Sequence, residues 1–279
     1  MRSVSPTLVL AIFLTTASAT KAEVRGQRAC GIQLVMAELL RRPATTQLEG
    51  LRLGRRGQYA EALAIDRTME ARLRDQPVRS ITRLAGISDV GRTQPRIVTL
   101  ADGTRALFKP FHETVHRPGV GRAVYEIERA LRLFRSPTII ERTIPELGPG
   151  TLQIFIEGAR HDRPRGRQVA GVDPELQLFD YLIGNTDRVR NGKNQLRHDE
   201  LEVSVAVDSD SALEVQHPAL GGPGLSELAE LVHDNPSLVA RILDLRLEQL
   251  AAIGARNGLD PRSMQRVLER RQRILRLAE

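Results

Sequence analysis

Apolar residues along this chain recur first at helical and then at strand intervals, and the change of period divides it. From Ile32 to about Gln76, Leu34, Met36, Leu39, Leu40 and later Leu51, Leu53, Tyr59, Ala62, Leu63 and Ile65 stand at helical spacings, with Pro43 separating two helices. At Ile81 the texture turns to short β-type runs. Arg96 to Leu100 and Arg105 to Lys109 flank Ala101-Asp102-Gly103, a hairpin signal because glycine accepts the positive φ that such a turn requires. Val120, Val124, Ile127, Leu131 and Phe134 then form one apolar helical stripe, and Thr151 to Ile156 reads as another strand.

A polar, arginine-rich connector runs from Gly158 to Gly171. Pro174 opens a helix carrying Leu176, Leu178, Phe179 and Leu182, which leads into Gly184-Asn185-Thr186-Asp187-Arg188. Asn194 to Leu196 and Val203 to Val207 pair as strands, and from Ser226 the chain is helical, with Pro261 starting the last helix. Gly50 through Leu63 resembles one tetratricopeptide-type hairpin; a single repeat forms no solenoid, so it is expected to dock on the main domain.

Residues 1–22 read as an export leader, since Arg2 precedes the apolar run Leu8 to Leu14 and small residues follow, with cleavage expected after Ala19 or Ala22. The chain is thus expected to be periplasmic or secreted. The patterns predict four regions: a leader over 1–22, a helical extension over 23–80, a small mixed lobe over 81–160 and a helical lobe over 161–279.

The full chain has 279 residues and 41% hydrophobic content, enough for a two-lobed domain with a helical extension. Aromatic residues make up 3% and tryptophan is absent, so an interface of stacked bases or sugars has little to build on. Cys30 is the single cysteine, which excludes an internal disulfide and a multi-cysteine metal cluster. The net charge of +7 falls to +5 on loss of residues 1–22, because Arg2 and Lys21 leave and no acid does. That mild excess suits phosphate groups or an acidic substrate better than a nucleic-acid stripe. Of 41 basic residues, only Lys21, Lys109 and Lys193 are lysine. Against such a preference for arginine, a retained lysine is a candidate for chemistry that a guanidinium cannot do.

Phosphoryl transfer asks a protein for a cation on the nucleotide phosphates, metal ligands, and a carboxylate near the attacking hydroxyl. Lys109 ends the second strand of the hairpin, Asp187 lies in a polar loop after an apolar helix, Asn194 opens a strand and Asp208 closes its partner. An amide oxygen and a carboxylate so placed suit Mg²⁺ or Mn²⁺. Singly, each has a plainer reading: a lysine at a strand end usually faces solvent, and an aspartate after a helix is more often a cap.

The order of these residues, with the right elements between them, resembles the atypical kinases related to HipA, to type II phosphatidylinositol 4-kinases and to the secretory Fam20 and four-jointed kinases, over roughly Ile81 to Glu279. Leu178 to Arg188 looks like that group's catalytic loop, Val207 to Leu213 like its metal-binding segment, Pro149 to Ile156 like its hinge strand, and Gly91-Arg92-Thr93-Gln94-Pro95 like its phosphate-facing loop. The resemblance implies an α+β, two-lobed kinase-like fold with an N-terminal helical hairpin and a helical C-terminal lobe, using ATP with Mg²⁺ or Mn²⁺. By it, Lys109, Gly91, Thr93, Gln153 and Phe155 would contact the nucleotide, Asp187 would be the catalytic aspartate, and Asn194 and Asp208 would hold metal. Two departures stand out. Val189 replaces the usual His after Asp187-Arg188, and Gly121 occupies the helix position where the group carries a Glu for the lysine or the metal. Glu128 lies about 10 Å further along the same helix face, at 1.5 Å per residue. A nucleotide-binding pseudokinase or scaffold is therefore the second expectation.

A rival motif, His112-Glu113-Thr114-Val115-His116, matches the H-E-x-x-H of zinc peptidases, in which two His one helical turn apart bind zinc and the Glu activates water. Gly119 fits the extended form but Arg122 occupies its third-ligand position, and Pro110 and Arg117-Pro118-Gly119 leave room for barely two turns. The acceptor hydroxyl, on a protein, lipid, sugar or small molecule, is not chosen by any residue.

Overall fold

The computed structural model describes residues 43–84, 94–112, 116–161, 173–186, 188, 194–198, 201, 204–209, 212–213 and 223–279. The leader, the helix expected from Ile32, Gly91, Thr93, Glu113, Asp187, Lys193 and most of the arginine-rich connector lie outside these residues.

Helix α1 (Pro43–Arg55) and helix α2 (Tyr59–Asp75) form the expected hairpin. Gly57 turns it with φ +79, and Gly57 N and Gln58 N donate to the Gly54 and Leu53 carbonyls. Gly50 lets Ile65 approach so closely that an added Cβ would stand 2.8 Å from its side chain, and Gly54 gives the same room to the Phe134 ring. These glycines are packing contacts, which suits the docked hairpin read from the sequence.

A five-stranded antiparallel sheet follows, in the order β1 (Val78–Arg83), β2 (Arg96–Leu100), β3 (Arg105–Pro110), β5 (Gly148–Ile154), β4 (Ile139–Ile144). The β2–β3 turn is the one expected: Gly103 has φ +85, and the Asp102 carboxylate accepts from Thr104 N at 2.9 Å. Strands β1 and β4 were not legible as strands. β1 is an edge strand without a buried residue, so it carries no alternation. β4 interrupts its apolar run with Glu141-Arg142-Thr143, whose polar groups are spent locally. Glu141 accepts from Gly119 N at 2.5 Å, and Arg142 donates to the Leu73 and Gln76 carbonyls at the end of α2 at 2.7 and 2.9 Å.

Between β3 and β4 runs helix α3 (Val120–Ala130). The apolar stripe expected to continue to Phe134 leaves the helix at Leu131. Arg132 and Phe134 adopt positive φ, and the Phe134 ring stacks on Tyr59 of the hairpin at 6.0 Å. The inner face of α3, with Val120, Val124 and Ile127, joins the core of the helical lobe. That lobe contains α4 (Pro174–Ile183), α5 (Leu225–Asp234), α6 (Pro236–Asp244), α7 (Leu247–Arg256) and α8 (Pro261–Ala278), with a small sheet of β6 (Arg160–His161), β7 (Gln195–Arg197) and β8 (Val205–Ala206). Pro174 and Pro261 both stand at the first turn of their helices after capping aspartates, Asp173 and Asp260. Among the described residues, no helix is long and apolar enough to cross a membrane.

Candidate active site

The pairing of β3 with β5 sorts side chains by face. Lys109 stands opposite Thr151 and Leu107 opposite Gln153, and all four line one cleft. Their neighbours Ala106, Phe108, Leu152 and Ile154 point the other way and are at most 3% exposed, as the period of two demands. Gly150 permits the close approach of the two strands, since an added Cβ would meet the Lys109 carbonyl at 2.3 Å. Gly121, Val124 and Tyr125 of α3 form a second wall, and Ala206 to Ser209 a third. These three walls bound an open cleft.

The Lys109 ammonium lies 2.7 Å from Asp208 Oδ1, with 11% of the lysine side chain and 41% of the aspartate exposed. Asp208 adopts φ +57, a left-handed conformation uncommon for a residue with a side chain. Such conformations persist where the surroundings enforce them. Here the enforcement comes from Arg188, whose side chain is fully buried. Its Nε donates to Asp180 Oδ2 at 2.8 Å, Nη1 to the carbonyls of Asn194 and Val207, the latter at 2.9 Å, and Nη2 to Ser209 Oγ at 3.1 Å. Val207 N also donates to the Asn194 carbonyl at 3.0 Å. One guanidinium therefore fastens the segments carrying Asn194 and Asp208 to α4. Burial pushes the Asp180 carboxyl above its ordinary range, opposed by Arg188 and by the Asn185 amide at 3.1 Å.

The structure thus brings together Lys109, Gln153 and Asp208 in the cleft and Asn194 beside the Asp208 segment. Phe155 sits past the end of β5, beneath the Arg105 guanidinium at 4.9 Å, and does not line the cleft. Gly91, Thr93 and Asp187 lie outside the described residues. Gly121 and Lys109 both line the cleft. Glu128 is no substitute. It is fully buried and accepts from Arg129 Nη1 at 2.6 Å, from the Arg135 and Ser136 amides at 2.5 and 2.9 Å, and from Ser136 Oγ. Glu126 is held by Arg122, Arg256 and Asn257.

Arg188 stands in the loop Gly184 to Arg188, but its anchoring role is not legible in the sequence. Its trace there is a charged pair, Asp180 in an apolar helix and Arg188 eight residues on, flanking a loop of small polar residues.

The zinc-peptidase motif fails on geometry. His112 and His116 exchange backbone hydrogen bonds at 2.9 and 3.1 Å as an antiparallel bridge, not as successive turns of a helix. His116 is buried with Nε2 at 3.0 Å from Thr151 Oγ1, whereas His112 is exposed. Among the described residues, no cluster of His, Cys, Asp and Glu could hold a metal in peptidase fashion.

Solved structures share this fold. The chain superposes on the Golgi casein kinase with Mn/ADP bound with a TM-score of 0.54 at 12% identity, covering 77% of this chain and 75% of that one. This is a kinase-like fold. The hydra Fam20 structure with sugar gives 0.51 at 12% identity, covering 77% of this chain and 88% of that one. No protein-family model and no curated protein matches the sequence. The cleft lies between β3, β5 and α3 on one side and the segment Ala206 to Ser209 on the other.

Proposed function

We propose that this chain binds ATP with Mg²⁺ or Mn²⁺ in the interlobe cleft and transfers the terminal phosphoryl group to a hydroxyl acceptor. The observation that carries the reading is the Lys109–Asp208 contact inside that cleft. A cationic side chain and a metal-competent carboxylate meet where a polyphosphate could engage both. The donor types would suit a hard divalent cation, a carboxylate on Asp208 and a side-chain amide on Asn194, whose segments adjoin through the Val207 N to Asn194 carbonyl bond. When bound, the cation would neutralise phosphate charge. Lys109 would add a second positive charge from the opposite wall, and Arg188 would keep the metal-competent segments in register without touching the ligand. Asp187, next in sequence to Arg188, would accept the acceptor's proton. Gln153 and Leu107 would flank the base. Gly91 and Thr93 would serve the phosphates through the β1–β2 connection. In this scheme, residues 81–160 form the phosphate lobe and residues 161–279 the catalytic lobe. The leader pattern supports an exported protein that works in the periplasm or outside the cell, with a hydroxyl on a protein, lipid, sugar or small molecule as acceptor.

Gly121, which lines the cleft where the kinase resemblance expects a glutamate, favours a second reading, a nucleotide-binding protein without transferase activity. Both readings predict nucleotide binding; transfer separates them. Turnover of ATP by the wild type, lost in Asp187→Asn with nucleotide affinity kept, supports the kinase. ATP binding without transfer to any acceptor or to itself, unaltered by Gly121→Glu, supports the inactive form.

A further inference from the structure

The α1–α2 hairpin carries more than an apolar face. The buried side of α2 includes Ala62, Ile65, Met69 and Leu73, and among them Asp66, 4% exposed. Asp66 accepts from Arg129 Nε at 2.5 Å and from Thr138 Oγ1 at 2.9 Å. One turn later, Glu70 takes Arg122 through both terminal nitrogens at 3.1 Å. Arg122 and Arg129 lie on α3, and their order is the reverse of their partners', so the two arginine side chains bridge α3 to an antiparallel α2. Burial draws each guanidinium pKa down, and the facing carboxylates more than reverse it, leaving both arginines above their ordinary values.

A hairpin that only covered apolar surface would need no buried ion pair. Such a pair adds little net stability over apolar packing of the same volume, and its best-attested use is to fix register. The register fixed here is that of one wall of the cleft. Tyr125, which lines it, lies between the two arginines, with the Arg122 and Arg129 guanidiniums 5.2 and 4.4 Å from its ring centre. The other end of the hairpin reaches the helical lobe, where Arg55 pairs with Glu175 of α4 at 2.9 Å.

We infer that the α1–α2 hairpin is an interlobe brace that sets the position of α3, with Asp66 and Glu70 as positioning residues for the nucleotide cleft. The hairpin's inner face is spent on this contact, so it is not the surface of a free repeat module. The inference rests on the proposed function only in its reference to nucleotide.

The test measures hydrogen exchange and Mn²⁺–ADP titration on the full chain. Glu70, with 17% of its side chain exposed, is the variant least prone to global unfolding. In Glu70→Ala, exchange across residues 120–130 should rise about tenfold while helices α5 to α8 keep wild-type protection, since only a local opening is released. Affinity for Mn²⁺–ADP should fall by about threefold or more. Glu70→Gln keeps an acceptor for Arg122 and should return both readouts to within about twofold of wild type. Asp66→Asn should act in the same direction. Unchanged exchange in α3, or a rise spread evenly over the chain, would overturn the brace. Faster α3 exchange with unaltered affinity would overturn the positioning role. Absence of Mn²⁺–ADP binding in the wild type would instead remove the proposed function, and the exchange pattern would still decide the brace.

Discussion

The Asp180 carboxylate and the Arg188 guanidinium form a fully buried pair at 2.8 Å beneath the cleft, and the remaining arginine nitrogens hold the strand ends that carry Asn194 and Asp208. The segments of Asn194 and Asp208 are thereby positioned from behind, by a residue that does not line the cleft. This resembles the way outer-shell contacts orient ligands at metal sites.

Arg188→Met should destabilise the protein by about 3–5 kcal/mol, since it leaves Asp180 buried without its counter-charge. Thermal unfolding would show the loss. The double variant Asp180→Leu with Arg188→Met should recover much of the stability while Mn²⁺–ADP affinity stays low, because the Asn194 and Val207 carbonyls lose their shared donor. Full recovery of affinity along with stability would show that Arg188 does not position the metal-competent segments.

Glu175 makes acid stability a second test. Burial would raise its carboxyl, but hydrogen bonds from Arg135 and Arg241 at 2.6 Å, with Arg55 nearby, hold it below the ordinary glutamate range. A carboxylate depressed in the folded state contributes stability that is present above its unfolded value, about 4.3, and is lost as pH falls through the folded value. Wild-type melting temperature should therefore drop on acidification below about pH 4.3. Glu175→Gln should be less stable at neutral pH and show a shallower acid limb in the same melting series.

The histidines should separate from any metal chemistry. Purified protein should contain no stoichiometric zinc, and His112→Ala should leave stability and nucleotide binding unchanged because His112 is exposed. His116→Ala should lower the melting temperature, since His116 is buried against Thr151 and packs on Phe111 at 5.4 Å. Elemental analysis and melting curves check both. One zinc per chain, lost with either histidine, would contradict the bridge geometry.

What the sequence disclosed follows from how local each signal is. The Asp102-Gly103 turn and the Pro174 and Pro261 helix starts were legible because their causes lie within four residues. Lys109 and Asp208 stood out through the scarcity of lysine and the order of motifs, and the fold brings them to 2.7 Å. The H-E-x-x-H pattern presumes a helix for which Pro110 and Arg117-Pro118-Gly119 leave little room, and residues 112 and 116 pair as a bridge instead. Arg188, Asp66 and Glu70 stayed hidden for the opposite reason. Each is an ordinary charged residue whose importance arises from burial against partners 8, 63 and 52 residues away. Strand β4 was hidden likewise, since Glu141-Arg142-Thr143 reads as a surface run, and Arg142 and Glu141 find their partners only at the end of α2 and the start of α3.

The most direct test is calorimetric titration of the full chain with ADP, with and without Mn²⁺. The proposed function predicts binding that strengthens with Mn²⁺ and weakens by about ten- to a hundredfold in both Lys109→Ala and Asp208→Ala, while Asp187→Asn binds as wild type yet loses about 10²- to 10⁴-fold in phosphoryl transfer. An absence of ADP binding in the wild type, or binding indifferent to Mn²⁺ and to both cleft substitutions, would contradict the assignment of this cleft as a nucleotide site.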